Sequence, residues 1–300
     1  MKLSDPYTVT YDGIYAICNC TNELVDVIEK STCFGGSAWT MHHYASSPQV
    51  LDVRSIGNMI RYRAKAGTSE LKLQASVAAA GIESVIVNGN EVKITYAGLG
   101  GGGVGATVCR ANSKGVLRSD ITESGGGKAA KGTIVVPRLE RLLVGIDDTD
   151  NKEEGATWTL AHNIASSLDA ADARYLSHAL VQLFPAPSRT QNCVSAVLEF
   201  GCVNDKAKHN LLEGIRSGLE QYSVSDQTGM VVLDDFDAAP LEEYSKKCRT
   251  QLLTKQYALE TAQSKNVQIW LEGNGIIGAL AALPWYTRPN ESVKLDQSHP

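Results

Sequence analysis

The densest chemistry in this sequence lies in Gly145-Ile146-Asp147-Asp148-Thr149-Asp150. An apolar stretch there delivers three carboxylates and a hydroxyl in a row. In layered α/β proteins, ligands gather at the carboxyl ends of strands. Clustered carboxylates repel one another, and a divalent cation relieves that repulsion. Magnesium takes hard oxygen ligands, commonly one or two carboxylates completed by phosphate oxygens. The plainer alternative is an acidic turn that leads into a helix, where Asp is favoured anyway.

Three further stretches can seat an anion. Gly155-Ala156-Thr157-Trp158-Thr159 opens a helix, whose free N–H groups attract negative charge. Thr157 or Thr159 could hydrogen-bond a phosphate there, or simply cap the helix. Gly273-Asn274-Gly275-Ile276-Ile277-Gly278 is a strand-to-helix turn in which glycine lets a ligand approach the backbone. Arg189, in Arg189-Thr190-Gln191-Asn192, can grip phosphate with two parallel hydrogen bonds, or can be an ordinary surface loop residue.

Strands and helices must hold these residues in place. Leu142 to Ile146 reads as a buried strand, and Thr157 to Leu168 as a helix with one apolar face. Strands are also expected at Ala179 to Phe184, Val194 to Phe200, Val231 to Leu233 and Val267 to Leu271. Leu211, Ile215, Leu219 and Tyr222 make one helical stripe, and Leu241, Tyr244, Cys248 and Leu252 another. A helix is expected from Ile276. Alternating strands and helices give a mixed α/β layered domain over residues 139–300.

Residues 1–138 read as a separate, strand-rich domain. Strands are expected around Ile14 to Cys18, Val50 to Val53, Asn58 to Ala64 and Leu71 to Leu73. Asn88-Gly89-Asn90 between alternating runs predicts a hairpin, and Ala75 to Ala80 a short helix. Pro137 is expected to end the strand Thr133 to Val136 and mark the boundary. Two glycine clusters lie in this half. Gly98 to Gly105 formally fits a dinucleotide fingerprint with Asp120 downstream, but it follows a hairpin strand, so a glycine flap over a phosphate, or a plain turn, fits better. Gly125-Gly126-Gly127-Lys128 misses the P-loop pattern at Thr122 and Ala129.

Charge divides with the domains. Residues 1–138 hold 14 Lys and Arg against 11 Asp and Glu, and residues 139–300 hold 14 against 22. The second half, at −8, is a poor stand-alone grip on nucleic acid. Seven irregularly spaced cysteines argue against a disulfide framework. Cys18, Cys20 and Cys33, followed by His42 and His43, lack the paired spacing of a zinc site. No apolar run reaches the roughly 18 residues of a membrane span. The N-terminus lacks a secretory pattern. A cytoplasmic protein without a membrane is therefore expected.

The Gly-Ile-Asp-Asp-Thr-Asp motif, the Gly-plus-Thr helix entry, the Pro187…Arg189-Thr190…Asn192 loop and the closing Gly-rich turn occur here in one order. In that order they resemble the kinase-like domain of archaeal tRNA-isoleucine agmatinylcytidine synthetase. Over its whole length, with Cys33-Phe34-Gly35-Gly36 and Gly98 to Gly105 included, the chain resembles methanogenesis marker protein 11. The synthetase resemblance implies ATP and magnesium as cofactors. It implies that Asp147, Asp148 and Asp150 are metal and triphosphate residues, with Asp148 catalytic. Gly145, Thr149, Thr157, Arg189, Gly273, Gly275 and Gly278 are then expected to contact nucleotide or phosphate.

Departures limit the transfer. Trp158 stands where the synthetase has a threonine that becomes phosphorylated. An extra residue lies between Asp150 and Gly155. The synthetase's Arg shifts within Arg189-Thr190-Gln191-Asn192, and its RNA-binding and zinc-ribbon parts have no counterpart here. The expected protein is a Mg-ATP-binding, kinase-like phosphotransferase or ATPase linked to methanogenesis. Its acceptor is a small molecule, an RNA or a protein, and it can be an oligomer or join a methanogenesis enzyme complex. The alternative is a non-enzymatic, nucleotide-dependent assembly factor for such an enzyme.

Overall fold

The computed structural model describes residues 2–187, 189, 190 and 192–295. Its backbone is mixed α/β and falls into two compact units, Met1–Leu139 and Glu140–Pro300.

The first unit is built from hairpins. Its elements are β1 (Gly13–Cys18), β2 (Leu24–Lys30), α1 (Phe34–Tyr44), β3 (Val50–Ile56), β4 (Met59–Lys65), β5 (Gly67–Thr68), β6 (Ala80–Asn88), β7 (Glu91–Leu99), α2 (Gly101–Ala106), α3 (Val108–Ala111), β8 (Arg118–Ile121) and the long β9 (Ala129–Asp147). Asn88 pairs with Glu91 across Gly89-Asn90, and Ile56 with Met59 across Gly57-Asn58. Both turn glycines have positive φ, the backbone that a two-residue hairpin loop needs. The sheet runs β3-β4-β2-β1-β9-β7-β6-β5, with β8 also on β9. Only β1 and β9 pair in parallel among the described strands. The core holds Ile14, Ala16, Val25, Val27, Ile82, Ile94 and Ile134, and α1 contributes the buried Tyr44.

Three expectations in this unit need correction. Leu71 to Leu73 forms no strand, and Ala75 to Ala80 is a turn closed by the Gln74–Ala78 bridge, with Ser76 at φ 65°, before β6 begins. Pro137 does not end its strand. It sits at the last β7 pair, Glu91–Pro137, immediately before β9 pairs with β1 at Arg138. A residue without an N–H is tolerated where one ladder stops.

The second unit has a single antiparallel sheet. It comprises the end of β9, α4 (Thr157–Ser167), β10 (Ala173–Gln182), β11 (Val194–Cys202), α5 (Asp205–Tyr222), β12 (Gly229–Leu233), α6 (Glu242–Thr250), α7 (Lys255–Ser264), β13 (Gln268–Glu272), α8 (Ile276–Ala282) and α9 (Pro289–Ser292). The strand order is β10-β11-β9-β12-β13. Strand side chains alternate between faces, and each face here has its own core. Leu142, Val144, Ile146, Leu198, Met230 and Val232 pack with α4 and α5. Leu143, Val197, Val231 and Leu233 pack with α6, α7 and α8. Helices therefore cover both faces, which explains the nearly unbroken apolar runs in β9, β11 and β12. Among the described residues no helix is long and apolar enough to cross a membrane.

Candidate functional site

β9 is the central strand of the second unit, and its last residue is Asp147. Past that point the backbone breaks from the strand, because Asp148 has φ 54°, a left-handed conformation uncommon outside glycine. Several hydrogen bonds hold that turn. Thr228 donates its hydroxyl to the Asp148 carbonyl at 3.0 Å, and Ser223 donates to the Thr149 carbonyl at 3.1 Å. The Val224 N–H reaches the same Thr149 carbonyl at 3.0 Å. Thr149 is buried, and both its N–H and its hydroxyl donate to Thr157 Oγ1 at 3.2 and 3.1 Å. Two threonines thus tie the strand tip to the first turn of α4. Gly155, at φ 95°, completes the loop where a side chain would collide with Asp150.

The loop opens onto a cavity of about 810 Å³. Asp147, Asp148 and Asp150 line it together with Thr157, Arg189, Asn274 and Gly278. Leu180, Leu183, Phe184, Cys193, Cys248 and Ile277 give it an apolar wall. Burial is the main cause raising the Asp147 carboxyl well above its ordinary range, followed by the Asp148 charge. Asp148 is raised by burial and then by Asp150, and Asp150 by burial. The three acids therefore resist ionising together. Among the described residues no three His, Cys, Asp or Glu converge as a ready-made metal cage. Cys18 is buried, Cys20 exposed and Cys33 half-buried, so the early cysteines form no such cage with His42 and His43 either.

The remaining expected residues separate into two groups. Thr157, Arg189 and Gly278 line the cavity. Gly145, Thr149, Gly273 and Gly275 are outside its lining. The last three glycines serve close backbone approach. A Cβ on Gly145 would strike the Ala279 carbonyl, one on Gly273 the Gln227 backbone, and one on Gly275 the Asp147 carbonyl. Gly278 leaves room for the Asp147 carboxylate itself, since a Cβ there would overlap its Oδ2. Arg189 is exposed and donates to the Ala186 carbonyl at 2.9 Å. Gln191 lies outside the described residues.

Helix α4 begins at Thr157 with no side-chain cap, so its first N–H groups are available beside the carboxylates. Trp158, also on the cavity lining, is 52% exposed. The residues missed from sequence are the apolar wall and the braces Ser223 and Thr228. The signal for the braces is the mostly polar stretch Ser223 to Thr228 between a helix and a strand. His162 is not on the lining, and it bonds Tyr175 at 3.0 Å instead.

Residues 143–273 match the family described as the TiaS TCKD domain. Over nearly its whole length the chain is similar to an uncharacterized protein of Methanocaldococcus jannaschii, 39% identical over 283 residues, with 92% of this chain and 94% of that one covered. The chain belongs to that protein's family. Among solved structures, it is similar to TiaS in complex with tRNA and ATP, with a TM-score of 0.45, 24% identity and 48% of this chain covered. A tRNA fluorescent labeling enzyme gives a TM-score of 0.43, 23% identity and the same coverage. The chain spans 36% and 35% of those two solved chains.

Proposed function

We propose that the second unit binds Mg-ATP in the cavity at the tip of β9 and uses it for phosphoryl transfer or ATP hydrolysis. The observation that carries this reading is a single cavity wall holding Asp147, Asp148, Asp150, Arg189 and the open end of α4. The match to the TiaS TCKD domain supports it, as do TiaS structures solved with ATP or with AMPCPP and agmatine.

The residues fit magnesium in a specific way. That ion uses one or two carboxylates and fills its shell with phosphate oxygens and water. The Asp148 charge raises the cost of ionising Asp147, Asp150 does the same to Asp148, and a divalent ion would offset both. Asp147 and Asp148 would hold the ion, with Asp150 adding charge, and the ion would neutralise phosphate. Arg189 supplies a charge of the opposite sign for the same phosphates, and Thr157 and the α4 N–H groups offer donors. Phosphoryl transfer rests on positioning and charge neutralisation, so such a wall is chemically sufficient. Asp148 is our catalytic carboxylate, because the strained backbone places it at the turn.

The acceptor is a small molecule, an RNA or a protein. The solved TiaS complexes with tRNA keep an RNA acceptor in play, although the acidic second half needs help to hold RNA. Membership of methanogenesis marker protein 11, a role in methanogenesis and a cytoplasmic location rest on the sequence resemblance. Calorimetric titration with Mg-ATP tests the core of this reading. Wild-type binding that Asp148→Ala abolishes supports it, and no binding by wild type ends it. Binding with no turnover across candidate acceptors shifts the reading to a nucleotide-dependent assembly factor.

A further inference from the structure

The glycine cluster Gly98 to Gly105 has no part in the site above. It belongs to the first unit, where α2 and its approach form one wall of a separate cavity of about 610 Å³. The other walls come from residues 7–11 and 31–40. No Lys, Arg, Asp, Glu or His lines it among the described residues. Nothing charged on this wall would neutralise a bound phosphate. Its surfaces are aromatic and small: Tyr7, Tyr11 and Trp39 against glycines, Val104 and two thiols.

The charge nearby is already neutralised. Arg110, fully buried, gives Glu29 two hydrogen bonds of 2.7 Å each. Its guanidinium lies 4.8, 5.0 and 4.5 Å from the ring centres of Tyr11, Tyr44 and Tyr96. Tyr11 belongs both to that cage and to the cavity wall, so an aromatic ring stands between the ion pair and the cavity.

Two observations favour an occupant in that space. A Cβ placed on Gly101, a lining residue, meets nothing within 4 Å. The wall residue Ser37 is 9% exposed, yet its hydroxyl has no hydrogen-bond partner among the described residues. A buried, unpaired hydroxyl costs on the order of 1–3 kcal/mol, and a rotamer change can turn it to an incoming polar group. Tyr7 and Trp39 also remain 83% and 38% exposed, although His43 packs a tilted ring on Trp39 at 4.1 Å between centres.

We propose that the first unit holds a second small-molecule site, for an uncharged, planar, largely aromatic ligand with a single hydrogen-bonding group that meets Ser37. The volume is in the ordinary range for small-molecule sites, about 300–1,000 Å³. A neutral ligand forfeits little hydration on entering a chargeless wall, whereas an ionised one would be stranded there.

The test uses the full chain and two naphthalene dyes of similar ring system, the neutral prodan and the anionic anilinonaphthalene sulfonate. Wild type is expected to bind prodan saturably, one per chain, with a blue-shifted emission, and the sulfonate about tenfold more weakly or worse. Gly101→Phe, which fills the space, is expected to weaken prodan about tenfold with an unchanged melting temperature. Val104→Trp is the second filling variant, should the first disturb α2. Excess Mg-ATP is expected to leave prodan binding unchanged. Failure of prodan to saturate, equal binding of the two dyes, full binding by folded filled variants, or displacement by Mg-ATP would each overturn the proposal.

Discussion

The two units each contain a cavity and each bury an arginine–glutamate pair, but they place charge in opposite ways. In the first unit Arg110 and Glu29 neutralise each other behind tyrosine rings, and the cavity wall is chargeless. In the second, Arg141 and Glu199 are likewise buried and paired, while three further carboxylates remain on the cavity wall with raised proton affinity. Buried charge by itself therefore says little about function. A carboxyl that faces a cavity without a counter-charge says much more, because its charged form costs stability that either a proton or a cationic ligand must offset.

The strongest way to break this comparison is to unpair the buried arginines. Arg110→Met leaves Glu29 buried without its cation, and Arg141→Met does the same to Glu199. Removing one partner of a buried pair typically costs about 3–5 kcal/mol. Each variant is expected to lose stability of that order in urea unfolding. The double variant Arg110→Met with Glu29→Met is expected to recover most of the loss, since no stranded charge remains. A cost under about 1 kcal/mol for Arg110→Met would mean that Glu29 is not held by that pair.

The site carboxylates are expected to behave in the opposite sense. Asp148→Asn removes a charge that its neighbours repel and keeps a side chain that tolerates the left-handed backbone, so folding stability is expected to hold or rise slightly. Mg-ATP affinity is expected to fall about a hundredfold, roughly 2.7 kcal/mol. Calorimetry and thermal unfolding of the same sample separate the two effects. Equal losses of stability and affinity would make Asp148 a structural residue and remove the contrast.

These differences also explain what could be read in the sequence. The Asp cluster at a strand tip was legible because acidic residues directly after an apolar run are chemically conspicuous. The apolar runs of β9, β11 and β12 and the stripe on α5 were legible because burial imposes them on the sequence. The roles of Gly145, Gly273 and Gly275 were not, since a glycine in sequence looks alike whether a ligand or a backbone approaches it. Thr149 looked like a ligand residue, and only its hydrogen bonds to Thr157 show it bracing the loop. The chargeless cavity was the least legible part. It is assembled from segments far apart in sequence, and its defining property is the lack of any charged residue to mark it.

Acid sharpens the comparison within the second unit. His178 is pushed down to about 4, first by burial and then by the neighbouring His162. Its Nε2 is buried without a hydrogen-bond partner among the described residues. Between the ordinary histidine value of 6.5 and about 4, the unfolded chain binds this proton and the folded chain does not. Stability therefore falls as pH drops through that window, with a slope of up to about 1.4 kcal/mol per pH unit from this one group. Urea unfolding from pH 7 down to pH 4 measures the slope, and His178→Gln is expected to flatten it by up to that amount. An unchanged slope in the variant would place the acid sensitivity elsewhere.

The smallest expected effect concerns how the helices of the two units begin. In the second unit Asn204 accepts a hydrogen bond from the Ala207 N–H at 2.9 Å at the start of α5, and Thr254 caps α7 in the same way. In the first unit α1 starts at Phe34, and among the described residues no side chain caps it. An Asn N-cap satisfies one of the donors that a helix leaves open, and its loss typically costs about 1 kcal/mol. Asn204→Ala is expected to lower stability by about that much, and Asp205 in the same first turn preserves the favourable charge at that end. Because α5 packs its buried Leu211, Ile215 and Leu219 on the strand that ends in Asp147, the fraying also reaches toward the site. The magnitude decides whether it matters there. About 1 kcal/mol at the far end of an 18-residue helix is absorbed by the packing along its length, so Mg-ATP affinity is expected to stay within about twofold of wild type. A larger loss of affinity would show that the site depends on the whole helix layer and not on the local braces Thr157, Ser223 and Thr228.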